Sequence, residues 1–156
     1  MNTDIQNLEN LFLEQAIKIS ELNNQLRKTE YEWESACQTL LLDFLKVVDT
    51  FEQAEMIIEE KRWNENEVAD KAIKRLVTAK KKALSVLEKH GVTPMSFANN
   101  LANDDDCKII DIECDRDYPD NYILRTEKKG YLLSKEKEGM PFSENLRLAE
   151  VVIVKN

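Results

Sequence analysis

Residues 5–40 read IQNLENLFLEQAIKISELNNQLRKTEYEWESACQTL, and this stretch decides the fold. Ile5, Leu8, Phe12, Gln15, Ile19, Leu22, Leu26, Thr29, Trp33, Ala36 and Leu40 follow one another at alternating steps of three and four. That spacing is the a/d seam of a coiled coil, with Gln15 and Thr29 as its polar members. Neither Gly nor Pro occurs from Asn2 to Lys61, so the spacing predicts one helix to about Lys61. At 1.5 Å per residue it would span about 90 Å. So narrow an apolar stripe needs another helix to cover it, and the same helix of a second subunit is the nearest candidate. Trp33 reads as filler of that seam rather than as a ligand stacker.

Beyond Ala36 the pattern thickens. Leu40, Leu41, Leu42, Phe44, Leu45, Val47, Val48, Phe51, Ala54, Met56, Ile57 and Ile58 exceed a single seam, so more than one neighbour must pack here. Lys61–Asn66 reads as a connection, with Asn64 or Asn66 able to cap the next helix. That second helix is predicted from about Glu67 to His90, its apolar face running from Val68 through Ala72, Ile73, Leu76, Val77, Ala83 and Leu84 to Leu87. Gly91 ends it, with Pro94 soon after. A helical hairpin paired across a dimer makes a four-helix bundle. The seam Ile5, Leu8, Phe12, Ile19, Leu22, Leu26, Trp33 and Leu40, continued by Phe44, Val48 and Phe51, is the expected dimer contact.

After Val92 the period becomes extended. Four strands are expected, in Ile109–Cys114, Tyr122–Thr126, Gly130–Leu133 and Ala149–Val154. Pro119-Asp120-Asn121 forms a turn, Asn103–Asp106 a surface loop, and Ser134–Asn145 a longer loop holding Gly139-Met140-Pro141. The expected class is α+β: a long dimeric coiled-coil helix over 1–40, a four-helix-bundle region over 41–91 and a small all-β domain over 92–156.

Composition narrows the function. The 156 residues carry a formal net charge of −8, which argues against nucleic acid as a direct partner. The run Lys80-Lys81-Lys82 reads as a solvated face. Cys37, Cys107 and Cys114 show no paired short spacing, Met1–Asn10 has no secretory apolar core, and no apolar run reaches membrane length. A reducing, cytoplasmic setting is the simplest expectation. His90 is the one histidine, placed at a helix end, where it suits the dipole better than catalysis. No nucleophile elbow or phosphate-binding loop motif occurs. The acidic runs Asp104–Asp106 and Asp115–Asp117 lack the calcium-loop spacing. These residues point to a non-enzymatic protein without metal or cofactor, acting through surface and shape.

Five segments then resemble one family. Asn24–Glu30 resembles the N-x-x-[RK]-[RK]-T-E run on the long helix of GrpE, the nucleotide exchange factor of DnaK-type chaperones. Leu45–Ala54 is similar to that family's L-P-V-[IL]-D-x-[LF]-[DE]-x-A segment and Leu84–Val92 to its L-x-x-[VL]-x-K-[FH]-G-V helix end. Lys129–Leu133 matches its K-G-Y-x-L strand, and Leu146–Lys155 its closing [LI]-R-x-A-x-V-x-V-x-K. The resemblance implies a parallel homodimer that binds the ATPase domain of a DnaK-type chaperone and promotes ADP release by opening its nucleotide cleft. By position it makes Arg147 the first candidate for chaperone contact, with Gly130, Tyr131 and Leu146 beside it, and Arg27 and Lys28 on the helix.

Three departures accompany the resemblance. Phe97–Ile109 lacks the His and Glu of the family's F-x-P-x-x-H-E-A-[VI], Ser134–Asn145 exceeds its N-G-R turn, and the helix between Thr29 and Asp43 is shorter by about one turn. They leave open which chaperone is served. They also leave open an alternative, a divergent coiled-coil scaffold that no longer drives exchange.

Overall fold

The computed structural model describes residues 2–65, 67–137 and 139–156, with the side chains of residues 2–4, 64, 67, 68 and 137 excepted. The chain forms two compact units, residues 1–40 and 41–156. Helix α1, Asn2–Glu60, runs through both. Within the first unit its seam is open: Ile5 is 52% exposed and Trp33 73%. Leu11, Leu13 and Ile17, which lie off the a/d positions, are more than half exposed as well.

In the second unit α1 ends at a turn through Arg62 (φ 53°) and a short 3-10 segment, Trp63–Glu65. Helix α2 comes next, Glu67–Lys89. Asn66 lies outside the described residues, as do the side chains of Asn64 and Val68, so the cap and first apolar position expected there are not placed. Gly91 closes α2 with φ +78°, its amide donating to the Glu88 carbonyl at 3.0 Å. A Cβ at Gly91 would sit 2.7 Å from the Ser134 carbonyl oxygen, and the Ser134 amide donates to the Gly91 carbonyl at 2.8 Å. The helix end is thus joined to the sheet at a site where only Gly fits.

Among the described residues the remaining chain makes six strands rather than four: β1 Val92–Pro94, β2 Cys107–Glu113, β3 Ile123–Lys128, β4 Tyr131–Lys137, β5 Met140–Arg147 and β6 Ala149–Val154. They form two three-stranded sheets. In the first, β4 lies between β1 and β5, all antiparallel. In the second, β6 lies between β2, which is parallel to it, and β3, which is antiparallel. The expected loop over Ser134–Asn145 is corrected to a hairpin turning at Gly139 (φ +77°). Pro141, Glu144 and Asn145 are poor strand formers; pairing with β4 and a Lys135–Glu144 ion pair at 2.6 Å hold them extended.

Each sheet has its own core. Leu45, Val48, Leu87, Val92, Tyr131 and Leu133 join α1, α2 and the first sheet, with Leu41, Leu42, Phe44 and Leu146 packed around them. Cys107, Ile123, Ala149, Val151 and Ile153 fill the second, under Phe97 and Ala102. Val48 is therefore a correction to the expected dimer set. It is fully covered by its own chain, because the helix turns this face to the sheet. Phe44 and Phe51 are half-buried.

Candidate functional site

The chain passes between the two sheets at two very short crossings. Lys129 and Gly130 separate β3 from β4, and Leu148 alone separates β5 from β6. Gly130 is demanded by space. A Cβ there would lie 2.8 Å from the Ala149 backbone nitrogen and closer still to the Met95 sulfur. Its carbonyl accepts the Met95 amide at 2.9 Å.

Arg147, the last residue of β5, stands opposite Tyr131 in the β4–β5 ladder. Its Nη1 and Nη2 each donate to one Asp49 carboxylate oxygen at 2.7 Å. Nε and Nη2 donate to the Lys129 carbonyl at 3.1 and 2.9 Å. The guanidinium lies 5.4 Å from the centre of the Tyr131 ring, a cation–π geometry. Tyr131 is 1% exposed. Burial pushes its phenol up to about 12, with the nearby Glu52 charge acting the same way.

The ion pairs continue along α1. Lys129 Nζ donates to Glu52 at 2.7 Å; Lys80 of α2 pairs with Glu52 at 3.5 Å and with Glu55. Lys80 is thus a correction to the solvated run expected over residues 80–82: its side chain is 13% exposed. Burial alone would lower its pKa, but its hydrogen bond to Glu55 and the charges of Glu52 and Glu55 carry it above the usual lysine value. Lys81 and Lys82 are exposed. A polar groove of about 250 Å³ runs beside this network, lined by Asp49, Glu52, Glu55, Glu59, Lys80 and Lys129 among others.

The structure brings Gly130, Tyr131, Leu146 and Arg147 together on the inner side of the junction between the two sheets. Arg27 and Lys28 lie on the other unit, exposed, with Lys28 3.8 Å from Glu32. Asp49, Glu52, Lys80 and Lys129 were not foreseen as site residues. No local pattern marked them, because each pairs with a residue on another element of the fold.

A second feature of this unit is apolar. Ile57, Ile58, Trp63, Ala72, Ile73 and Leu76 line an open groove of about 420 Å³ between α1 and α2. Among the described residues no cluster of His, Cys, Asp or Glu suits a metal ion. None of the three cysteines is in a disulfide; Cys107 is buried and its thiol is pushed up by that burial. No described helix is long and apolar enough to cross a membrane.

Against family models, one described as GrpE matches residues 1–155. The chain belongs to the GrpE family. No curated protein matches it. GrpE proteins are co-chaperones that promote nucleotide exchange. A GrpE fold of long helix, second helix and six-stranded β region is what the chain adopts.

Proposed function

We propose that the chain is a nucleotide exchange factor that binds the ATPase domain of a DnaK-type chaperone and speeds ADP release by opening its nucleotide cleft. The GrpE match over residues 1–155 carries this reading. An exchange factor needs only to bind the open, nucleotide-poor state of its partner more tightly than the closed one, and the shift in population follows by linkage.

The same reading makes it a parallel homodimer. The exposed seam from Ile5 to Leu40 and the apolar groove beside Trp63 support this, because both are faces that a second helix pair would cover. Arg27 and Lys28 offer cationic contacts on the coil, and the β region supplies the main partner face. Three free thiols suit a reducing, cytoplasmic setting.

Release of a fluorescent ADP analogue from a DnaK-type chaperone, with and without the protein, tests the proposal. Acceleration that saturates with protein concentration is the expected result. No acceleration by a dimeric, helical sample would reject exchange. It would favour the divergent scaffold, a reading motivated by the loss of the family's His and Glu over Phe97–Ile109.

A further inference from the structure

We propose that Arg147 is a positioning residue: with Asp49 and the Lys129 carbonyl it fixes the outer sheet β2-β6-β3 on the helices, and it acts on a partner only through that placement. The inference deepens the exchange-factor reading and, for its activity arm, rests on it.

The argument starts from the chain path. The sheet β1-β4-β5 is packed on α1 and α2 through Leu45, Val48, Leu87 and Tyr131. The outer sheet has a separate core. Covalent continuity between them runs through Lys129-Gly130, through Leu148 and through the longer link between β1 and β2. Arg147 sits at one short crossing and holds the carbonyl of Lys129 at the other. One guanidinium thus ties the two crossings together, and Asp49 ties both to α1.

The guanidinium has little left to offer a partner. Of its five N–H donors, four are engaged by the Asp49 carboxylate and the Lys129 carbonyl. Its central carbon lies over the Tyr131 ring, and the side chain is 18% exposed. Direct contact would require breaking a bidentate pair whose carboxylate is itself 14% exposed. The Lys129–Glu52–Lys80 pairs form a second tie between the same crossing and both helices.

The test uses the full-length protein with Cys37 and Cys114 replaced by Ser and spin labels on Ser85→Cys of α2 and Lys108→Cys of β2. Distance distributions are measured beside ADP-analogue release for Asp49→Asn, Arg147→Lys, Arg147→Ala and the exchanged pair Asp49→Arg with Arg147→Asp. Asp49→Asn and Arg147→Ala should each broaden the distribution and slow partner-stimulated release about tenfold, a typical coupling size. Combining them should add little, and Arg147→Lys should lose less. The exchanged pair should recover part of both readouts. Two results would overturn the proposal: an unchanged distribution in both Asp49→Asn and Arg147→Ala, or slowed release by Arg147→Ala alone with Asp49→Asn at the parent rate. The distances need no chaperone, so a parent protein that fails to stimulate release would reject the exchange reading while the placement of the sheet is still decided.

Discussion

Arg147 and Asp49, 98 positions apart in the chain, meet through two parallel hydrogen bonds of 2.7 Å. Both side chains are largely covered, at 18% and 14% exposure. Removing one partner leaves the other charge partly buried, which is costlier than losing a surface pair. Arg147→Ala and Asp49→Ala should each cost about 1–3 kcal/mol, discounted from the fully buried range for the residual exposure. The double variant should cost much less than their sum, since the two share one interaction. Urea unfolding of all four proteins supplies the cycle, and additive costs would mean the pair does not stabilise the fold.

Gly130 and Gly139 should respond to Ala in different ways. A methyl at Gly130 meets backbone at Ala149, 2.8 Å away, and Ala149 is fully buried at the start of β6. Overpacking of this kind costs about 1–3 kcal/mol. At Gly139 there is nothing within 4 Å, but φ is +77°, so the cost is conformational, about 1 kcal/mol. Shifts in the urea midpoint separate the two. In addition, Gly130→Ala should loosen β6 amide protection in hydrogen exchange, whereas Gly139→Ala should leave β6 as it was.

The helices were legible because their signals are local. The seam, the absence of Gly and Pro before Lys61, and the Gly91 stop place α1 and α2 within about a residue of their observed ends. Strand β6, whose last four residues are an unbroken run of Val and Ile, was equally plain. Strands β1 and β5 were not: Val92–Pro94 has three residues and ends in Pro, and β5 mixes Pro, Ser, Glu and Asn. Their extended state comes from pairing with β4, a tertiary cause that overrides propensity. Val48 shows the same limit. Its spacing fits a seam, yet the sheet covers it first. Arg147 and Tyr131 were found by resemblance, while their partner Asp49 belongs to a contact that no single sequence displays.

Alkaline pH should weaken the junction. The buried Tyr131 phenol titrates near 12 in the fold, against about 10 in an unfolded chain. The unfolded state therefore loses the proton first. Stability is whole below about pH 10 and falls by about 2–3 kcal/mol as pH climbs to about 12. Lys80 acts in the same direction: its pKa is raised, so its contribution holds below the ordinary lysine value and is lost as pH rises through the folded one. Thermal melts followed by circular dichroism between pH 9 and about 12 should show this loss, and Tyr131→Phe should flatten the tyrosine share. An equal slope in Tyr131→Phe would assign the loss to other groups.

The last prediction concerns the coil. Gln15 and Thr29 occupy seam positions, and the Thr29 hydroxyl already donates to the Gln25 carbonyl at 3.0 Å within its own helix. Neither side chain gives a facing helix the apolar contact that Leu22 or Leu26 would. A polar residue in such a seam fixes register at a cost in stability, so in the proposed dimer the paired helices should melt reversibly before the β region does. Gln15→Leu and Thr29→Leu should each raise that first transition, by about 1–2 kcal/mol for every apolar side chain newly buried. Ellipticity at 222 nm, recorded at several protein concentrations, separates the steps, because only a transition that dissociates subunits moves with concentration. One irreversible transition, unmoved by either substitution, would show that the seam does not melt independently.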